Sequence, residues 1–453
     1  FGDPLDRAHT APSRRMPMRH WFKDQHFRSL LKNTSYLAVS KGVAAVASIV
    51  TLAMAGRSLG LVLFGVLILI TSYAQAASGL SKFQSWQLII RYGAAALAKN
   101  DETSFKRAAS FGLGLDIASG LVGMAAAMLL LPLLGPYFGI KPAYLAFGMA
   151  YCLLIPTMGA SSPTGMLRAL DRFDLLSWQG TLTPIARAAL ATFGFLHEWS
   201  LPGFVALWAA ADLLGDLFLW FLAWREVGRR GYRKGMSPTL RPVGLDAVWP
   251  FAIQVNLTSS LMSAWGPIAR LIVGGLLGEA SAAIYRVAAS LADSAQKPGD
   301  LLSKAFYPEV VRMDMTTKRP WKFMLRGSAI AAAFGLVSIG ILVVGGESLI
   351  KLLFASRSAQ FLPVYPVLLV MVGVPLLAIL SFPLPPMLYA LDRADGPLKA
   401  RIVATIVYFA IVAPLCWRFD TIGAAIAIVA ANAVLVAILM IMVRREHRRM
   451  RAK

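Results

Sequence analysis

The sequence predicts an all-α polytopic membrane protein of about twelve transmembrane helices. These form two six-helix lobes of parallel orientation, with both termini in the cytoplasm. Three observations carry this reading. Of 453 residues, 57% are apolar and only 15% charged, against ~45–50% and ~25% in soluble domains. Lys and Arg number 45 against 23 Asp and Glu, a net charge of +22. A nucleic-acid binder of that charge is rich in charged residues throughout, and this chain is poor in them, so a soluble enzyme and a nucleic-acid partner are both excluded. Third, a short motif recurs about half a chain apart.

A spanning helix needs ~20 mostly apolar residues. Twelve stretches qualify. The first six are Ser35–Gly60, Leu61–Leu80, Phe105–Leu134, Ala143–Leu167, Leu175–Phe195 and Leu201–Trp224. The second six are Val248–Leu277, Ala280–Gln296, Phe323–Val344, Leu362–Leu391, Ile402–Trp417 and Ile422–Val443. Span five contains Pro184 and Arg187, and span eight is short and contains Arg286 and Asp293. The expected organisation is a basic leader (1–33), an N-lobe (34–225), a basic interlobe linker (226–245), a C-lobe (246–443) and a basic tail (444–453).

The basic residues orient these spans. With a cytoplasmic N-terminus, the leader, the even-numbered connections and the tail hold 36 of the 45 Lys and Arg. The outer connections keep five: Arg57, Lys141, Lys351, Arg357 and Arg418. The positive-inside rule selects this orientation over its inverse. No short apolar core follows the leader, so no cleaved signal is expected. Phe1 is not an initiator, which puts the expected start upstream of it or at Met16 or Met18. Trp21–Leu31 mixes aromatic, aliphatic and basic residues, which suits either a helix at the inner headgroup surface or a solvated basic tail.

The repeated motif is Leu167-Arg-Ala-Leu-Asp-Arg-Phe-Asp174, matched at six of eight positions by Leu388-Tyr-Ala-Leu-Asp-Arg-Ala-Asp395 at an offset of 221. Each copy ends a span, the fourth and the tenth. A weaker pair, Ser58-Leu-Gly60 and Leu276-Leu-Gly278, has an offset of 218. The offsets agree and six is even, so the halves share orientation about an axis along the membrane normal. The Asp-Arg-x-Asp sequence is read as structural, capping a helix or pairing charges at the interface. Two-lobed bundles of this kind are transporters that bind substrate between the repeats.

Four basic residues remain, all inside spans: Lys41 in one, Arg187 in five, Arg270 in seven and Arg286 in eight. The intramembrane acids are Asp116 in three, Asp212 and Asp216 in six, and Asp293 in eight. A mid-bilayer charge costs at least ~2.5–3.5 kcal/mol, so each must meet a partner, water or a ligand. One reading is internal ion pairing that holds the bundle. The sharper one makes Arg270, Arg286 and Arg187, with Lys41, a cationic cavity for an anion such as a phosphate, which the guanidinium fork suits. Span seven supports it, carrying Gln254, Asn256, Thr258, Ser259, Ser260 and Ser263 around Arg270. Asp212 and Asp216 share a helix face at i and i+4; they either carry protons for coupling or pair with Arg187. Asp116 and Asp293 are further coupling candidates.

No phosphate-cradling Gly loop, metal-spaced cluster or nucleophile motif is present, so neither a metal nor another cofactor is expected. Cys152 and Cys416 lie in apolar stretches and form no disulfide framework.

Ala55-Gly-Arg-Ser-Leu-Gly60, then Phe64-Gly65 and a span ending near Gly79-Leu80, resembles the span one–two region of oligosaccharide flippases. These are the polysaccharide-transport branch of the multidrug/oligosaccharidyl-lipid/polysaccharide exporter superfamily. Arg168-Ala-Leu-Asp-Arg-Phe-Asp174 resembles that family's segment after span four, and the six-plus-six plan covers the whole chain. Between Leu-Gly and Phe-Gly this chain has apolar Leu61-Val-Leu63, where a Pro-acidic pair is common in the family. The resemblance implies a bacterial inner-membrane flippase moving polyprenyl-diphosphate-linked oligosaccharide to the outer leaflet. It would serve lipopolysaccharide, capsule or exopolysaccharide synthesis, with membrane lipids, a polymerase and other assembly proteins as partners. A cationic central cavity is part of that implication.

Two other readings compete. A multidrug and toxin exporter of related fold would want an acidic cavity for cations, and span one offers Lys41 and no carboxylate. A polysaccharide polymerase or ligase needs a large outer loop, and the longest outer connection, about 345–361, is small.

Overall fold

A computed structural model describes residues 25–311, 319–390 and 396–451, and over those residues it is all helix, turn and loop, with no strand. Trp21–Asp24 of the leader and the second Asp-Arg-x-Asp copy lie outside the described residues. Every predicted span is met by helix. Spans one and two form one continuous element, Gln25–Ser81, kinked at Gly60. The described part of the leader, from Gln25, runs into span one without a break. Gly60 has φ 71°, ψ 175°, a backbone state open to glycine and strained for any residue with a Cβ.

Span three is Glu102–Leu134, with the Asp101 side chain accepting from Ser104 N at 3.0 Å to cap it. Span four is broken, Leu145–Cys152 then Ser161–Ala169. Span five is Phe173–Leu196, span six Leu201–Arg229, and span seven Val248–Leu277 as expected. Span eight is a full helix, Glu279–Val311, longer than its apolar stretch suggests. Span nine is Arg319–Phe354, and span ten is three short helices, Val364–Met371, Gly373–Ser381 and Leu384–Ala390. Spans eleven and twelve form one element, Gly396–Arg451, kinked at Asp420.

By length and composition, six helical stretches among the described residues suffice to cross a membrane. The difference from twelve has a structural cause. Two of the six hold two spans each, so the six account for spans one to three, six and nine to twelve; span four is broken, and spans five, seven and eight carry Arg187, Arg270 and Arg286 inside their helices. Irregular backbone at membrane depth is tolerated where protein or a cavity surrounds it.

One element was not foreseen. In the 2–3 connection, Ser85–Leu88 leads through a π-helical turn, Ile89–Ala94, to Ala95–Leu97. It packs against span three and the second half of span four, burying Leu88, Ile89, Phe105, Phe111 and Met166 in one cluster. The linker docks on the same end. Thr239 N and Ser237 N donate to the backbone and hydroxyl oxygens of Ser110, and Leu245 joins the cluster.

The first Asp-Arg-x-Asp copy pairs charges, as the structural reading holds. Arg172 grips Asp174 through two bonds of 2.9 Å and reaches Glu226 at 2.6 Å, and Arg230 holds the other Glu226 oxygen at 2.9 Å. Arg172, at the N-cap position itself, makes no side-chain capping bond.

The largest core cluster runs across both halves, from Phe64, Leu67 and Ile70 to Ala283, Ala288 and Phe354. Small residues let the helices approach closely. A Cβ on Gly65 would strike the backbone carbonyl of Glu279. Away from the basic connections the halves are sealed around this contact. Arg57 donates to the carbonyls of Leu353 and Leu352, both at 2.6 Å, and Lys141 pairs with Glu279 at 2.7 Å. Phe354 stacks on Phe361 with centroids 3.7 Å apart.

Candidate functional site

Span one offers Ser48 and Thr51, and span two Thr71, Ser72 and Gln75; the i, i+3 and i, i+4 spacings put each set on one face. Span five adds Thr183, Pro184 and Arg187, span six Trp208, span seven Arg270 and span eight Arg286. Together these line a cavity of about 120 Å³ between the halves. Arg187, Arg270 and Arg286 therefore meet in one space, and among the described residues no carboxylate lines it.

The three guanidiniums are held differently. Arg187 forms an ion pair with Asp212, whose other oxygen accepts from the Tyr151 hydroxyl at 2.6 Å. Its Cζ lies 5.9 Å from the Trp208 ring centroid. Arg270 is 8% exposed and donates from Nη2 to Gln75 Oε1 at 2.9 Å, across the halves. The Nε atoms of Arg187 and Arg270 are buried without a partner among the described residues. Arg286 is half-buried and, among the described residues, makes no hydrogen bond or ion pair, although Asp293 and Arg187 act on it electrostatically. A cation held at membrane depth with donors to spare is costly unless water or an anion meets it.

The remaining candidates separate. Lys41 is exposed, two turns before Ser48, and lines none of the described cavities. Span one reaches the cavity with its hydroxyls instead. Asp116 is 2% exposed and accepts from Ser85 Oγ at 2.5 Å and Ser162 N at 2.6 Å, tying the start of the second half-helix of span four to the unforeseen element. Asp293 lines a second cavity of about 240 Å³ within the second half, which also takes in Arg270 and Arg286. Asp212 and Asp216 line a third, of about 400 Å³, on the side of the basic connections. Asp216 makes no hydrogen bond or ion pair among the described residues and lies within the electrostatic reach of Lys82 and Arg187.

Three residues escaped the sequence reading. Gln75 is one of the few polar residues of an apolar run, at i+4 from Thr71, and that spacing was the available signal. Lys82 counts as an orienting residue by position, yet it is 5% exposed and donates to the carbonyls of Pro156 and Met158 at 2.9 and 2.5 Å. Those carbonyls exist as acceptors only because span four is broken, which the sequence does not announce. Arg401, also counted as an orienting residue, faces inward and lines two cavities. Among the described residues no group of three or more His, Cys, Asp or Glu is placed to hold a metal ion.

Two helical halves around a polar intramembrane cavity define a multi-pass membrane protein. Residues 30–308 match the polysaccharide biosynthesis protein family, and the chain belongs to it. Inner membrane protein YghQ of Escherichia coli (strain K12) is 36% identical over 343 residues, 75% of this chain and 96% of the relative. Among solved structures, lipid II flippase MurJ in an inward closed conformation superposes with a TM-score of 0.67 at 11% identity, covering 91% of this chain and 89% of that one. An inward-facing MATE multidrug resistance transporter of the MOP superfamily gives 0.65 at 15%, covering 93% and 96%. The fold is shared with these MOP-superfamily structures, and the protein is a multi-pass protein of the bacterial inner membrane.

Proposed function

We propose that this transporter flips polyprenyl-diphosphate-linked oligosaccharide from the inner to the outer leaflet for surface polysaccharide synthesis. The observation that carries the reading is the convergence of Arg187, Arg270 and Arg286 on one cavity that no carboxylate lines among the described residues. A diphosphate supplies acceptors for several guanidinium forks at once, and such charge-assisted bonds are about twice as strong as neutral ones. A cationic drug would meet three like charges there, which disfavours the exporter reading.

With the basic connections at the cytoplasmic side, the sealed face is the outer one. The cavity then communicates inward through the space lined by Lys82 and Asp216. Transport is alternating access: the seal at Gly65, Arg57 and Lys141 opens as the inner side closes. Asp116 and Asp212 are engaged by partners and Asp293, also engaged, lies apart in the second-half cavity, so Asp216, within reach of Lys82, is the carboxylate we assign to ion coupling. The lipid-linked glycan and membrane lipids are the partners this cavity needs, and a polymerase would take the product.

The test is complementation of surface glycan in a strain lacking its own flippase, with Arg270→Ala and Arg286→Ala each checked for folding and insertion. Both variants are expected to lose export. Normal export by both refutes the cationic-cavity mechanism. Asp216→Asn with unchanged transport removes that residue as the coupling group.

A further inference from the structure

The cavity that holds the three arginines is small. At about 120 Å³ it has the room of about four waters at liquid density, enough for phosphates and too little for sugar rings beside them. The chamber toward the basic connections is more than three times as large, at about 400 Å³. Gln75 and Arg187 line both, so the two spaces are continuous. Gln75, whose Oε1 accepts from Arg270, stands at their junction.

The two spaces differ in chemistry. Among the described residues the small one has cations and no carboxylate. The larger sets two cations, Lys82 and Arg187, against two carboxylates, Asp212 and Asp216. It adds the neutral polar groups of Ser78, Gln84 and Ser263 and the apolar ring of Phe83. A phosphate gains little by entering, because the carboxylates repel it as the cations attract it. A hydrocarbon chain would strip water from charges, amides and hydroxyls and return no hydrogen bonds. Sugar hydroxyls donate and accept at once, which such a mixed lining answers.

Gln84 is held in place. It is half-buried at the N-cap of Ser85–Leu88, and the Trp86 indole donates to its Oε1 at 3.0 Å. Trp86 in turn lies under Arg168, whose Cζ is 4.3 Å from the ring centroid. The opposite wall belongs to the second half. Ser263 lines the chamber where span seven passes Gly79, and a Cβ on Gly79 would lie 3.2 Å from Ala264 N. An occupant of this chamber touches both halves, which suits a substrate carried by rocking of one half against the other.

We propose, resting on the flippase reading, that this chamber is the subsite for the sugar next to the diphosphate and that Gln84 is a specificity-determining residue in it. The diphosphate sits at Arg187, Arg270 and Arg286, and the sugar extends from it toward the basic connections.

The experiment measures binding to the purified full chain in detergent of farnesyl diphosphate and of its conjugates to glucose, galactose and N-acetylglucosamine, for wild type, Gln84→Leu and Ser263→Leu. In wild type at least one conjugate should bind about tenfold tighter than farnesyl diphosphate. Gln84→Leu should shrink that preference about fivefold and leave farnesyl diphosphate within about twofold. Ser263→Leu narrows the chamber from the other half, should act in the same way, and serves as the test should Gln84→Leu fold poorly. Equal binding of all four probes by wild type overturns the proposal, as does a preference that survives in the folded variants. Equal weakening of farnesyl diphosphate and its conjugates also overturns it, since the chamber then holds phosphate. If Arg270→Ala and Arg286→Ala leave glycan export intact while Gln84→Leu still loses the sugar preference, the flippase mechanism fails and this subsite stands; the reverse pattern sinks the subsite alone.

Discussion

The Arg187–Asp212 pair tests whether an intramembrane charge is there for the bundle or for the substrate. Asp212→Asn keeps an acceptor for the Tyr151 hydroxyl, which donates to the carboxylate at 2.6 Å, but leaves Arg187 without its counter-charge. Removing one partner of a buried ion pair costs about 3–5 kcal/mol. The side chains here are 27% and 14% exposed toward the cavities, so the lower end, about 3 kcal/mol, applies. Arg187→Met should cost less, because the carboxyl left behind can take up a proton. The double variant replaces the pair with a neutral one and should recover much of the loss, giving a coupling energy on the order of 2 kcal/mol. The assay is unfolding of the purified variants in detergent alongside glycan export in cells. The expected result separates the two readouts: the double variant regains stability and still fails to export, because the cavity has lost a guanidinium. Additive losses in the two single variants would refute the pairing. Normal export by the double variant would falsify the assignment of Arg187 to the substrate.

Three other outcomes follow from the geometry. Gly65→Val places a side chain against the Glu279 carbonyl, so the outer seal should not close; a cysteine near Lys141 should become more reactive to an impermeant thiol reagent. Lys82→Met strips the ammonium from the Pro156 and Met158 carbonyls, at about 1–3 kcal/mol per buried acceptor left unpaired, and should lower the unfolding midpoint clearly. At the basic face, the bonds from Arg172 hold the Asp174 carboxyl below its ordinary range. Its contribution is therefore present above the unfolded-state value of about 4 and is lost as pH falls through the lower folded value. Asp174 is 43% exposed, so Asp174→Asn should cost no more than about 1 kcal/mol near neutral pH, and the difference from wild type should vanish in acid.

Most of the fold is legible in the sequence because the bilayer imposes it. Apolar runs of sufficient length must be helices in lipid, and every predicted span is met by helix in the structure. Charge distribution gives a preferred orientation by the same logic. The three arginines were also legible, as charges too expensive to sit at mid-span without purpose. Their convergence was not, because residues 187, 270 and 286 come together only through the packing of spans five, seven and eight. Asp212 and Asp216 show the same limit. They share a helix face by spacing, yet Arg187 and Tyr151 engage only Asp212, a distinction set by the neighbours and not by the i, i+4 pattern.

Lys82 and Arg401 mark where reading by position ends. Both sit where basic residues usually face headgroups, and hydropathy treats them alike. The break in span four turns Lys82 inward by offering it bare carbonyls, and the cavities between spans eight, ten, eleven and twelve receive Arg401. The sequence by itself determined a two-lobed helical bundle and a short set of intramembrane charges, because the cost of burying charge in lipid acts residue by residue. The tertiary structure decided which of those charges are engaged by a partner and which face open space, because that depends on atoms brought together from distant parts of the chain.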